Sequence, residues 1–314
     1  MSKLRVAVIG AGSFGRHHVR VVKEIPGVEL TATVDPKVEG ALKTVDEVIG
    51  RIDAAIIATP TVTHESIASR LLEAGIDVLV EKPIAETSEG AQRLAHLAQK
   101  TGRILQAGHL ERFNPAVTAL EKALTVPLFF EVHRLSVFTP RSLDIDVVLD
   151  LMIHDLDIVL SFVGAMPDEI RAAGISVLSS KVDIANVRLA FASGCIANLT
   201  ASRISVDQVR KLRLFQPGEY ISLDYHRQDA VRFAVRKQHQ PQIAFEPLPT
   251  SPAEPLALEL AAFFDCVRSR AAPRVDAFQA AKTLRVAESI LAKIREHADL
   301  VSETIRSQSN VPSS

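Results

Sequence analysis

Cysteine occurs only twice in this chain, at Cys195 and Cys266. Two thiols exclude a disulfide framework and a cysteine zinc cluster. They read as buried apolar residues in a reducing compartment. Neither sign of charge dominates: 36 Lys and Arg stand against 37 Asp and Glu, for a net charge of −1. That balance removes any global electrostatic case for nucleic acid or an anionic membrane as partner. No apolar run is long enough to span a bilayer. The start, MSKLRVAVIG, runs straight into a strand without the apolar stretch and cleavage site of a signal peptide. Internal repeats are missing, and the one low-complexity stretch is the polar end SQSNVPSS. The expectation is a cytoplasmic protein with neither nucleic-acid nor membrane partners.

What is present is apolar substance. The 314 residues are 47% hydrophobic and 23% charged, a soluble globular profile too long for one ordinary core. The first third alternates strand and helix. KLRVAVIG, VELTATVD, IDAAIIAT, IDVLVEKP and RILQAGH read as strands, and HESIASRLLEAG and EGAQRLAHLAQKTG as amphipathic helices closed by Gly75 and Gly102. Such alternation predicts a doubly wound parallel sheet with right-handed crossovers. The stretch from Pro36 to Arg51 leaves room for at most two helical turns near Val45–Ile49. Beyond about Pro127 the pattern changes to strand-like runs, with Ala192-Ser193-Gly194 as a hairpin turn, and two closing helices near Pro255–Arg268 and Phe278–His297. The predicted class is α/β: a Rossmann domain over residues 1–122 and an α+β domain with a mostly antiparallel sheet over 123–314.

Residues 10–15, GAGSFG, follow a strand and open a helix. In that context Gly10 permits a tight turn, Gly12 lets backbone approach a pyrophosphate, and Gly15 packs helix against strand, with Ser13 and Phe14 between them. The helix N-terminus offers free N–H groups to phosphate. Asp35 ends the second strand 20 residues past Gly15, where a carboxylate binds a ribose 2′-hydroxyl and repels a 2′-phosphate. NAD is therefore favoured over NADP, against the nearby charge of Lys37. The competing reading of Asp35 is a turn residue before Pro36. Glu81, Lys82 and Pro83 stop the fourth strand abruptly; on position alone Lys82 is either an edge charge or a site residue.

The segment VVLDLMIHDLDIVLSFVG (147–164) is apolar in most directions, yet holds Asp150, His154, Asp155, Asp157 and Ser161. At about 100° per residue, Asp150, His154, Asp157 and Ser161 fall in one stripe, with Asp155 elsewhere. A buried helix with one polar stripe turns it toward a cavity or a polar partner. Asp150 and His154 are i and i+4, so the carboxylate can orient the imidazole. Two other readings stay open: an internal polar network, and a metal site of Asp150, His154 and Asp157, for which no HExxH or cysteine pattern exists.

GAGSFGRHH, Asp35, ATPTVTH, VEKP, GHLERFNP and DLMIHDLD occur in an order and spacing that resemble the Gfo/Idh/MocA family over nearly the whole chain. The resemblance implies NAD as cofactor, an open C-terminal sheet, homo-oligomers (dimer or tetramer) built on its outer face, and a sugar, cyclitol or nucleotide-sugar alcohol as substrate. It implies Lys82, His154 and Asp150 as the catalytic group, with Lys82 or His154 as the base. It also places Thr59, Pro60, His64 and Glu81 near the cofactor and Arg112 and His109 toward the cleft. His18 takes a structural role. Arg112 has a domain-linking salt bridge as its alternative, and Arg141 is a candidate for a substrate phosphate or a solvated loop residue. Tyr225-His226-Arg227 borders the pocket or only ends a strand. Within the family, GHLERFNPAV and FTPRSLDIDVVLDLMIHDLDIVLSFVG are similar to bacterial oxidoreductases acting on the 3-hydroxyl of UDP-N-acetylglucosamine, a step toward lipid A. A free sugar or inositol, or a non-catalytic NAD sensor on the same fold, are the alternatives.

Overall fold

The apolar runs of the first third become five parallel strands. The computed structural model describes residues 3–139, 143–236 and 242–309. Strands β1 (Leu4–Ile9), β2 (Val28–Val34), β3 (Ala54–Ile57), β4 (Asp77–Glu81) and β5 (Leu105–Gly108) form one sheet in the order β2-β1-β3-β4-β5. All its pairs are parallel. β3 and β4 are buried at every position, which is why they read as unbroken apolar runs. Helices α1 (Gly15–Glu24), α2 (His64–Glu73) and α3 (Ser88–Thr101) supply the crossovers. Thr87 caps α3 by accepting the Gly90 N–H at 3.1 Å, and Gly102 closes it at φ 64°. Between β2 and β3 there is only a 3-10 turn, Val45–Val48, fixed by a capping box of Thr44 and Glu47. The order reverses between β1 and β3, the place where such sheets bind ligands.

Helix α4 (Pro115–Ala123) precedes the second sheet. Its strands are β6 (Phe129–Val137), β7 (Glu169–Ile175), β8 (Ile184–Ala190), β9 (Ile196–Ser205), β10 (Val209–Gln216), β11 (Glu219–Asp224), β12 (Asp229–Arg236) and β13 (Gln242–Pro247). They run β13-β12-β11-β10-β6-β9-β8-β7, with β6–β9 the single parallel pair. The expected turn at Gly194 joins β8 to β9, with φ 85°. One face carries Phe130, Val132, Leu212, Leu214, Ile221 and Leu223 into a core with Leu156, Val159 and Ile290. β12 and β13 extend the sheet beyond what the sequence reading named. β13 is an edge strand and β12 lies next to it, and in both charged residues interrupt short apolar alternations.

The structure departs from the sequence expectations at further points. The segment 147–163 is not one uniform α-helix: it begins with a π turn, Val148–Met152, and continues as α5 (Ile153–Val163). Helices α6 (Pro255–Ser269) and α7 (Ala277–Ser309) close the chain, α7 running well past the expected end at His297. The chain forms two compact units, Met1–Asn114 with Ala253–Leu284, and Pro115–Pro252 with Arg285–Ser314. A single cut after residue 122 therefore does not describe the contacts. Leu256, Leu260, Phe263 and Phe264 of α6 share one apolar cluster with Val6, Val8, Val21 and Val22. Burying such side chains is worth roughly 1.5–3 kcal/mol each, enough to hold α6 on the first unit. Cys195 is buried, and burial pushes its thiol up to about 11. Cys266, read as buried, lies half-exposed on α6.

Candidate active site

The glycine loop between β1 and α1 is dictated by close packing on two sides. Gly10 has φ 91°, and a Cβ there would lie 2.6 Å from the Ala58 carbonyl oxygen. A Cβ at Gly15 would collide with the Gly10 carbonyl. At Gly12 nothing stands within 4 Å, so its open side is available to a bound group. Ser13 is exposed, and Phe14 stands edge-on to His18 with centroids 5.3 Å apart. The loop borders a cavity of about 560 Å³, lined among others by Gly10, Gly12, Asp35, Lys37, Thr59 and Pro60. That volume falls in the range of small-molecule and cofactor sites. The glycine cradle, the helix N-terminus and Asp35 on the wall fit a dinucleotide.

Asp35 is fixed by its own backbone surroundings. Its Oδ2 accepts the Ala11 N–H and its Oδ1 the Lys37 N–H, both at 2.8 Å. The Ala11 bond and then the Lys37 bond hold its carboxyl below the usual carboxylate range. An ionised acceptor in this position suits a ribose diol.

At the end of β4, Glu81 is buried and lies with Oε1 2.8 Å from His18 Nε2. Its Oε2 accepts the Lys82 backbone N–H at 3.2 Å. His64, placed near the cofactor by the family pattern, is buried, with Nδ1 2.8 Å from the Pro83 carbonyl and Nε2 2.8 Å from the Thr59 carbonyl. A neutral ring donates to one of these, and burial holds its pKa below the ordinary value. The ring thus sits between the Thr59-Pro60 loop and the Lys82-Pro83 turn, its one N–H bonded to one of the two carbonyls. Glu259 of α6 was not singled out from the sequence. It is fully buried, and neither carboxyl oxygen has a hydrogen-bond partner among the described residues. Burial first, and then the charge of Glu81, push its pKa well above the carboxylate range. The signal was present: Glu259 occupies an apolar position of the stripe Leu256, Leu260, Phe263.

In the second unit, Asp150 sits in the π turn and His154 in the first turn of α5. Four residues exceed one α turn and fall short of one π turn, so both remain on one face. Asp150 is half-buried, while His154 and Asp157 are buried. Ser161, the last member of the stripe, donates to the Ile158 carbonyl of its own helix at 2.9 Å. Asp155, off the stripe, is held by Arg134 of β6: Nε to Oδ2 at 2.6 Å and Nη2 to Oδ1 at 2.9 Å, both side chains buried. The Arg134 guanidinium lies 4.8 Å from the Tyr225 ring centroid. His109 and Arg112 are buried at and within a 3-10 turn, Leu110–Phe113, of the first unit. Arg141 lies outside the described residues. Among the described residues no three His, Cys, Asp or Glu side chains are grouped to hold a metal ion.

Comparison with known proteins places this geometry. Residues 4–109 match the family model described as an oxidoreductase family with an NAD-binding Rossmann fold, and residues 129–215 match the GFO/IDH/MocA C-terminal domain. The chain is 38% identical over 235 residues to UDP-N-acetylglucosamine 3-dehydrogenase of Acidithiobacillus ferrooxidans, covering 72% of this chain and 75% of that protein. It is 26% identical over 321 residues to scyllo-inositol 2-dehydrogenase (NAD(+)) of Bacillus subtilis, covering 90% and 92%. A solved structure of the Acidithiobacillus ferrooxidans enzyme superposes with a TM-score of 0.89 at 31% identity, covering 95% of this chain and 99% of that one. The parallel Rossmann sheet, its glycine cradle and the mostly antiparallel second sheet thus make this chain a member of the Gfo/Idh/MocA family of NAD-binding oxidoreductases.

Proposed function

We propose that the chain oxidises the 3-hydroxyl of UDP-N-acetylglucosamine, with Lys82, His154 and Asp150 acting at the reacting alcohol. The observation that carries the chemistry is a buried His154 one turn beyond Asp150, in the polar stripe of a largely buried helix. Polar groups gathered on a buried helix mark a candidate functional site. The 38% identity to a UDP-N-acetylglucosamine 3-dehydrogenase supports the substrate.

Held by the glycine cradle and Asp35, NAD would supply the hydride acceptor for the carbinol carbon. The chain's own residues handle the proton and the oxygen. Either His154 or Lys82 removes the hydroxyl proton, and the other donates a hydrogen bond to the same oxygen. Asp150 orients the imidazole. Gly10, Gly12, Ser13, Phe14 and Gly15 cradle the pyrophosphate, Asp35 binds the adenosine ribose, and Thr59 and Pro60 line the same site. His64 and Glu81 hold the Lys82 turn in place, and Arg112 belongs to the substrate side.

The chain is further proposed to be a cytoplasmic homo-oligomer. Two unpaired cysteines suit a reducing compartment, and among the described residues no helix is long and apolar enough to cross a membrane. The second sheet's face away from its core carries Phe129, Phe215, Tyr220, Phe233 and Phe245, with successive ring centroids 5.8, 4.8, 5.1 and 4.9 Å apart. An aromatic row of this kind is typical of a protein–protein contact.

Similarity to a scyllo-inositol dehydrogenase over most of the chain favours a free cyclitol or sugar as the second reading. The test is NADH absorbance with NAD⁺ and UDP-N-acetylglucosamine, then inositol, then glucose, with a keto-acid-consuming or transaminase partner to pull the equilibrium. NADH from the nucleotide-sugar supports the proposal. NADH from inositol or glucose alone transfers it to the second reading. Bound NAD with no turnover of any of them identifies a sensor.

A further inference from the structure

The π turn that carries Asp150 is pinned to the second sheet at its entry. The Val147 N–H donates to the Val182 carbonyl, and the Val182 N–H donates back to Asp146 Oδ1, each at 2.9 Å. Val182 stands just before β8. The exchange has the form of an antiparallel bridge in which the Asp146 side chain replaces a backbone acceptor. An aspartate at a helix start ordinarily turns its carboxylate back onto its own first turn. Here no side chain caps the π turn, and the Asp146 carboxylate reaches across to the sheet instead. Its backbone carbonyl meanwhile accepts the N–H groups of Leu149 and Asp150, each at 3.0 Å. One residue thus binds the sheet through its side chain and Asp150 through its main chain.

The sheet side of this link is itself held firmly. Asp183, fully buried, follows Val182. Its Oδ2 accepts the N–H groups of Val177, Leu178 and Ser179 at 2.7, 2.7 and 3.0 Å, and its Oδ1 accepts the Ser179 hydroxyl at 2.7 Å. These bonds fold the connection from β7 to β8 back onto the start of β8. The Asp183 carbonyl accepts the Arg203 N–H of β9 at 3.0 Å, and the Arg203 guanidinium donates to the Ile145 carbonyl. Ile145, Asp146 and Val147 are each tied to the sheet in turn.

Asp146 is half-buried, and with Val182 it borders a cavity of about 480 Å³ in the second unit. Water from that side can take over the Val182 N–H when the carboxylate is removed. A variant then loses the link without burying an orphan donor. The charge and the bond of Asp146 are also separable, because asparagine keeps an acceptor oxygen and carries no charge.

We propose that Asp146 is a positioning residue of the reaction: its bond to Val182 sets the entry of the π turn and so keeps Asp150 on the face it shares with His154. The inference rests on the roles proposed above for Asp150 and His154. Asp146 touches neither substrate nor cofactor in this role and acts through Asp150. Displacing a group that orients a base by about 1 Å is enough to slow a reaction severely.

The test uses one readout that needs no turnover. The His154 imidazole signals, identified by their absence in His154→Gln, are titrated by NMR in wild type, Asp146→Ala, Asp146→Asn, Asp150→Asn and the double variant Asp146→Ala with Asp150→Asn. The same proteins are assayed with UDP-N-acetylglucosamine and NAD⁺. Asp146→Ala is expected to move the His154 titration to lower pH, as Asp150→Asn does, because an imidazolium loses a neighbouring carboxylate. It lowers kcat about ten- to hundredfold and leaves the KM for NAD⁺ unchanged. Asp146→Asn stays near wild type in both readouts. The double variant matches Asp150→Asn, since both changes act through one group. Asp146→Ser, too short to reach Val182 yet suited to a helix start, serves if Asp146→Ala does not fold. A shifted titration in the alanine or serine variant, with no NADH made by wild type, keeps the positioning and removes the reaction. Wild-type turnover with kcat unchanged in Asp146→Ala overturns the positioning and leaves the reaction standing. An unchanged His154 titration overturns the positioning whether or not the wild type turns over substrate. Asp146→Asn as impaired as Asp146→Ala assigns the effect to charge and overturns it, as do losses that multiply in the double variant.

Discussion

Arg134 and Asp155 form a buried, two-pronged ion pair between β6 and the first turn of α5, with N–O distances of 2.6 and 2.9 Å. The pair fixes the helix that carries His154 to the sheet beneath it. Removing one partner strands a charge in the core, at about 3–5 kcal/mol. Asp155→Ala is therefore expected to lower Tm by about 10 °C or more. A double replacement, Arg134→Met with Asp155→Leu, recovers much of the loss because no charge is left unpaired. Calorimetric melts of the three variants decide it. A single variant that melts with wild type would mean the pair contributes nothing.

Lys82→Ala and His154→Ala are expected to lose about 10²–10⁴-fold in kcat, the usual worth of a positioned acid or base. NAD binding, followed by titration with the cofactor, stays near wild type because the glycine cradle is untouched. Asp150→Asn keeps the shape and loses the charge that orients the imidazole, so its loss is smaller and its pH–rate profile shifts. Near-normal turnover in either alanine variant removes that residue from the reaction.

The legibility of these features follows from their range. The glycine loop, Asp35 and the abrupt end of β4 at Lys82 are local patterns, in which neighbours in sequence already fix the geometry. The stripe of Asp150, His154 and Asp157 was visible because helix periodicity is local too. The π turn at Val148–Met152 was not, since nothing in its composition differs from an α turn. Arg134 illustrates the intermediate case. It alternates inward with Phe130 and Val132, and a buried Asp155 requires a cation, but which strand supplies it depends on tertiary pairing. Glu259 and the second role of His64 depend wholly on packing between segments distant in the chain. The return of α6 to the first unit is legible only from its apolar face meeting that of α1.

Cofactor choice turns on Asp35. Its ionised carboxylate, held by the Ala11 and Lys37 amides, accepts from ribose hydroxyls and repels a 2′-phosphate. Asp35→Asn is expected to weaken NAD by about ten- to hundredfold in kcat/KM, while use of NADP improves relative to NAD because Lys37 and Lys43 line the same cavity. Steady-state kinetics with both cofactors measure the ratio. An unchanged ratio would leave Asp35 a turn residue only.

Glu259 makes the fold sensitive to alkali. Burial and the nearby charge of Glu81 raise its folded pKa well above the unfolded value, so the native state binds a proton that the unfolded chain has released. With more protons bound when folded, stability falls as pH rises from the unfolded pKa to the folded one, by up to about 1.4 kcal/mol per pH unit. Below the unfolded pKa both states are protonated and the effect vanishes. Glu259→Gln keeps the shape of the neutral acid and has no proton to lose. Its Tm is therefore expected to match wild type most closely at and below the ordinary carboxylate range and to exceed it increasingly as pH rises above that range, where the wild-type carboxyl holds its proton only when folded. Melting curves of the two proteins across that range test the argument. Parallel curves would show that Glu259 ionises in the folded protein as readily as in the unfolded chain, against the burial and the unpartnered oxygens seen for it.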